Sequence, residues 1–197
     1  MLQHSSCTKT EKGTRLSKIQ HVFTHLGITN FELSPNKINS LIFAKAGENM
    51  LAEINDSTKN PQLRTYKLFK TDLRLEPYLN LNFPKYIYRS IARFRLSSHN
   101  LKIELGRHKR PYVPADERFC KRCASGLVED EYHCLMICDY WKNSRVELLE
   151  VASKMIENFP VLSSRAQFLK IVTNKTSDIN FALGKFLNVV IKTDNSI

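Results

Sequence analysis

No apolar run in the 197 residues approaches the ~20 needed to span a bilayer. The polar stretch 1–15 has no apolar core of the kind that a secretory signal carries. Cysteine is scarce and odd in number: Cys7, Cys120, Cys123, Cys134 and Cys138. Four of the five fall within nineteen residues. That is the wrong arithmetic for a secreted disulfide framework, and it favours a reducing compartment and a metal. The expected setting is intracellular, nuclear or cytoplasmic, with no membrane partner and no small-molecule substrate. Internal repeats and low-complexity tracts are also missing.

Acidic residues are few, 19 against 30 Lys and Arg. The imbalance is local. Residues 85–123 hold eleven Lys or Arg against three acids, an excess of eight. Positive charge concentrated in this way raises affinity for polyphosphate through counterion release, whereas charge kept for solubility would be spread more evenly.

With 42% hydrophobic residues the chain can bury a core. The periodicity is helical almost throughout. Leu16, Ile19, Val22, Phe23 and Leu26 recur at three- and four-residue spacing up to Gly27. Ser34-Pro35 reads as an N-cap with proline at the first helical position, opening a helix towards Ile54 that Asn60-Pro61 ends. A short helix is expected over 62–71, another from Pro84 to Leu96, and a loop-rich stretch over 97–138. Helical pattern resumes at Tyr140 and stops at Asn158-Phe159-Pro160, and two short helices follow near 163–173 and 178–192. The expected fold is mainly α: a small helical domain with a zinc-knuckle loop between helices. Its parts are an N-terminal helical segment (1–60), a helical region (61–192) holding the loop at 118–140, and a tail (193–197).

The loop carries the sharpest motif, C-x2-C-x9-H-x4-C, formed by Cys120, Cys123, His133 and Cys138. Zinc takes four soft or borderline ligands in a tetrahedron, and CxxC presents two thiolates from one tight turn. Four protein ligands leave no position for water, so one structural zinc is expected. So short a loop cannot bury a core, and metal binding would supply its folding energy. Cys134, next to His133, is the alternative to Cys138 as fourth ligand. A redox CxxC would open a helix after a strand, a context missing here. Glu129-Asp130-Glu131 reads as a solvated run balancing nearby arginines rather than as a catalytic cluster.

Ile87, Ile91 and Phe94 form one apolar stripe, with Lys85, Arg89 and Arg93 on nearly the opposite side. Arg107, His108, Lys109 and Arg110 make a second basic cluster, and Arg118, Lys121 and Arg122 charge the knuckle itself. Lys85, Arg89, Arg93, Arg107, Lys109, Arg110, Lys121 and Arg122 are the candidate nucleic-acid contacts. Tyr86, Tyr88 and Tyr112 are interleaved and are either stacking platforms for bases or parts of the core. His99, Glu104 and His108 are the least favoured reading, as residues of an enzyme.

Three strings carry a family resemblance: Arg64–Lys70 (RTYKLFK), Leu75–Leu79 (LEPYL), and the run from Arg93 into CKRC, VEDEYH and Cys138. Over roughly residues 60–190 the chain resembles the zinc-binding segment downstream of the reverse transcriptase in LINE-type (non-LTR) retrotransposon polyproteins. The resemblance implies a knuckle with Cys120, Cys123, His133 and Cys138 as ligands that binds template RNA or target DNA, beside a reverse-transcriptase domain. The Y/F-x-D-D polymerase motif is missing, and no two aspartates are adjacent. The expectation is a binding module or, alternatively, a protein-interaction domain, with no polymerase or nuclease activity of its own.

Overall fold

The computed structural model describes residues 15–25, 27 and 34–193. Cys7, Leu26 and residues 194–197 lie outside the described residues. The chain is mainly helical. The β structure among the described residues is a single bridge, Phe119 to Val128. Two compact units are present, Met1–Glu53 and Ile54–Ile197.

In the first unit, α1 spans Arg15–His25 and Gly27 follows it at φ +69°. A left-handed residue at that position is a common helix stop. Helix α2, Pro35–Asn55, starts as its sequence suggests: Ser34 Oγ accepts from Lys37 N–H at 3.4 Å, and proline needs no partner at the first position. It ends where Asp56 Oδ1 takes the N–H groups of Thr58 and Lys59 at 2.9 and 3.3 Å. This side-chain turn competes with the helix before Asn60-Pro61 is reached.

In the second unit the core forms around α7 (Ser177–Lys192), which packs on α3 (Lys85–Arg95) and α5 (Val146–Met155). Ile87, Ile91 and Phe94 on α3 are completely buried, as their spacing requires. Ile179, Leu183, Phe186, Leu187 and Val190 form the matching face of α7. The two helices meet closely at Gly184, where an added Cβ would lie 2.6 Å from Ile87 Cγ2. Gly184→Ala is therefore expected to destabilise by about 1–3 kcal/mol through overpacking, despite the ~1 kcal/mol that alanine gains in helix propensity. Denaturant unfolding with an unchanged slope would show it. A stabilised variant would mean that α3 and α7 do not cross so tightly.

The helix expected over 62–71 is instead two 3-10 turns, Pro61–Leu63 and Tyr66–Leu68. Arg64 between them reaches inward to Glu104 and Glu131, and Thr65 is buried, so tertiary anchoring overrides the periodicity. The stretch 97–138 holds an unexpected helix, α4, Lys102–His108. It has no local N-cap. Glu129, far along the chain, accepts from Lys102 N–H at 2.9 Å through its carboxylate and from Ile103 N–H at 3.2 Å through its carbonyl. A remote partner thus does the work of a cap. Two 3-10 turns, Asp139–Trp141 and Asn143–Arg145, precede α5. Asn158 at φ +57° ends that region, and α6 (Ser164–Val172) starts at the capping hydroxyl of Ser163, which accepts from Ala166 N–H at 3.3 Å. No helix among the described residues is long and apolar enough to cross a membrane.

Candidate metal centre

The centre starts from a narrow loop. Phe119 and Val128 are bridged, Cys120 N–H donates to Leu127 O at 2.8 Å, and Glu129 N–H donates to Arg118 O at 3.0 Å. Gly126, at φ +65°, takes the left-handed conformation that the reversal needs. Cys120 and Cys123 project from this loop. The other two candidates come from the following turn. Asp130 Oδ1 accepts from His133 N–H at 2.7 Å and opens it. Residues His133–Ile137 then form a single π-helical turn, closed by Cys138 N–H donating to His133 O at 2.8 Å. That wide turn is what H-x4-C spacing encodes: it returns Cys138 to the imidazole, while Cys134 points elsewhere.

The donor atoms of Cys120, Cys123, His133 and Cys138 all lie within 4.8 Å of one another. Cys120 Sγ is 3.8 Å from Cys138 Sγ, and Cys123 Sγ is 3.4 Å from His133 Nε2. A tetrahedron with metal–sulfur bonds of ~2.3 Å and a metal–nitrogen bond of ~2.0 Å has edges of roughly 3.8 and 3.5 Å. The four residues therefore fit a metal ion. Cys134, fully buried, is outside the set and belongs to the main apolar core.

Burial acts differently on the four donors. Burial pushes the Cys120 thiol up to about 12 and also raises Cys138. At Cys123 burial works the same way, but hydrogen bonds with Ser125, Cys120 and Cys138 together outweigh it and lower the thiol. Burial lowers His133, which keeps its imidazole in the neutral form that binds metals. Buried thiols of this kind stay protonated until a cation takes the place of the proton.

The surroundings correct two expectations. The run 129–131 is not a solvated face: Glu129 and Glu131 are buried. Glu129 sits 3.8 Å from Cys120 Sγ and pairs with Arg122 at 3.3 Å. Glu131 accepts from Arg64 at two nitrogens, both 2.8 Å away, and from Ser97 Oγ at 3.0 Å, with His99 Nε2 at 2.8 Å. Burial opposes its charge, but the His99 contact and the Arg64 charge hold the carboxyl down to about 2. Arg64 also binds Glu104, so His99 and Glu104 belong to a buried ion-pair network.

Arg122 is the second correction. Its side chain is 3% exposed, held by Glu129 and stacked over Tyr140 and Trp141 at 5.2 and 5.4 Å. It braces the metal loop and is not placed to reach a phosphate. Two others of the eight candidates are engaged in part. Arg93 Nε donates to Ser98 O at 2.7 Å, and Arg107 pairs with Glu104 at 3.0 Å. Lys85, Arg89, Lys109, Arg110 and Lys121 are exposed. Of the tyrosines, Tyr86 and Tyr112 are exposed, while Tyr88 is half-buried with its hydroxyl accepting from Phe83 N–H at 2.9 Å. Arg118, read from the sequence as charge on the knuckle, is instead a buried structural residue. Its buried guanidinium donates to the carbonyls of Ile103 and Val113, and it passes so close to Gly106 that a Cβ there would sit 2.6 Å from it. The glycine at 106, which leaves room for this side chain, is its signal in the sequence.

No protein-family model matches the chain, and comparisons with curated proteins and with solved structures return no match.

Proposed function

We propose that the chain is a nucleic-acid-binding module built on one structural zinc ion held by Cys120, Cys123, His133 and Cys138. The observation that carries it is the convergence of three thiols and one imidazole at tetrahedral spacing. Three sulfurs favour zinc over the hard cations, which take oxygen ligands. Bound there, the ion would supply folding energy to residues 118–140 and no reaction, since all four positions belong to the protein. Exposed cations flank this centre in sequence, with Lys109 and Arg110 before it and Lys121 inside it, while Lys85 and Arg89 project from α3. The likeness of the string from Arg93 to Cys138 to the region after LINE-type reverse transcriptases supports RNA or target DNA as the ligand.

Phosphate contacts set the salt dependence of such binding. The double variants Lys85→Ala/Arg89→Ala and Lys109→Ala/Arg110→Ala are each expected to reduce the slope of log affinity against log salt by roughly 1.4 to 1.8. They should weaken all sequences alike and leave the melting temperature within a degree or two, because the side chains are exposed. Titration of labelled single-stranded RNA and duplex DNA over a salt series reads the slope. Unchanged slopes in both variants would move a second reading ahead, a protein-interaction domain for a reverse-transcriptase neighbour. Phe43 and Met50, 77% and 53% exposed on α2, favour that alternative.

A further inference from the structure

We propose that the chain carries a phosphate-binding site, separate from the metal centre, in the cavity between residues 69–78 and the turn joining α6 to α7. The cavity is about 280 Å³, and Lys70, Glu76, Tyr78, Arg95 and Lys175 are among the residues that line it. Its charges do not balance. Lys70 Nζ lies 2.7 Å from one oxygen of Glu76, and Arg95 Nη1 lies 3.3 Å from the other. Two cations thus share one carboxylate, and both are buried. At the rim Arg74 is neutralised by Asp72 at 2.7 Å, but Lys175 is exposed and adds a further positive charge.

The guanidinium of Arg95 is fixed as a receptor group would be. It lies over the rings of Phe69 and Tyr78, 4.4 and 4.6 Å from their centroids. Nη2 donates to Val172 O at 3.2 Å. Buried Nε has no acceptor among the described residues. Burial pushes this arginine below its ordinary value, with Tyr78 and Glu76 pulling the other way. A buried cation of this kind is costly unless an anion meets it. Two excess positive charges and an unmatched N–H donor suit a phosphate dianion, either free or as the end of a monoester. None of these groups belongs to the metal loop or to the Lys85–Arg89 face, so the site stands or falls independently of nucleic-acid binding.

The test titrates the full metal-loaded chain with inorganic phosphate and with methyl phosphate, against chloride at matched ionic strength, by calorimetry and melting temperature. Saturable binding is expected, with a phosphate-specific rise in melting temperature. Arg95→Met, which leaves Glu76 paired with Lys70 alone, should abolish both. Lys175→Glu, at an exposed position, should weaken binding by about fivefold or more without altering the melting temperature in chloride. Tighter binding of methyl phosphate would identify a monoester, and tighter binding of inorganic phosphate would identify free phosphate. Should Arg95→Met fail to fold, Lys175→Glu decides. Equal behaviour in phosphate and chloride, or binding undiminished in every variant that folds, would overturn the proposal.

Discussion

Cys138→Ser is expected to release the metal and unfold residues 118–140, whereas Cys134→Ala retains it. The contrast follows from the π-helical turn. Cys138 returns to within 3.8 Å of Cys120 across the site, while Cys134 is buried in the apolar core away from the donors. The consequence should spread beyond the loop. Cys120, Cys134, Leu135, Cys138 and Trp141 form one wall of the main core, packed with Leu148, Phe168 and Phe186. Opening the loop therefore exposes part of that core. A loss of about 4 kcal/mol or more is expected, equivalent to roughly 10 °C or more in melting temperature for a unit of this size. Cys134→Ala removes one buried sulfur and should cost only about 1–2 kcal/mol. Elemental analysis and hydrogen exchange over 118–140 separate the two variants. Metal retained by Cys138→Ser and lost from Cys134→Ala would exchange their roles.

Glu131→Ala should be the most damaging substitution outside the ligands. The carboxylate is 3% exposed and accepts from Arg64 and Ser97, with His99 at 2.8 Å. Removing it takes the partner from the buried Ser97 hydroxyl and from His99 Nε2, and leaves Arg64 only Glu104. Breaking a buried ion pair from one side costs about 3–5 kcal/mol, with the lower end fitting here because the Arg64 side chain is 30% exposed and water can compensate it. Glu131→Gln keeps hydrogen-bonding atoms in place and should cost visibly less. Urea unfolding of metal-loaded protein measures both. A cost below about 1 kcal/mol for the alanine variant would show that the network contributes nothing net to stability.

The contrast between Cys138 and Glu131 marks what can be read from sequence. The ligand set is legible because its spacing is local: CxxC is one turn, and H-x4-C is another. The apolar stripe of α3 is legible for the same reason, since Ile87, Ile91 and Phe94 declare a helix face by themselves. Charge partners are a different matter. Arg64 and Glu131 are sixty-seven positions apart, and nothing near either residue says that they meet. Arg122 has the sequence context of a phosphate contact, yet Glu129, Tyr140 and Trp141 draw it inside. Helix α4 is not legible in the sequence, because its first N–H groups are satisfied by Glu129 rather than by a local cap. Several of the arginines that make the segment 85–123 so basic are thus internal struts, and the exposed cations are a smaller set led by Lys85, Arg89, Lys109, Arg110 and Lys121.

X-ray absorption at the zinc edge of the purified full chain tests the metal centre most directly, because it reads both the element and its ligands. The expected spectrum shows one zinc per chain with three sulfurs at about 2.3 Å and one nitrogen at about 2.0 Å. Folded protein without stoichiometric zinc, or a first shell of oxygen and nitrogen alone, would contradict a structural centre formed by Cys120, Cys123, His133 and Cys138.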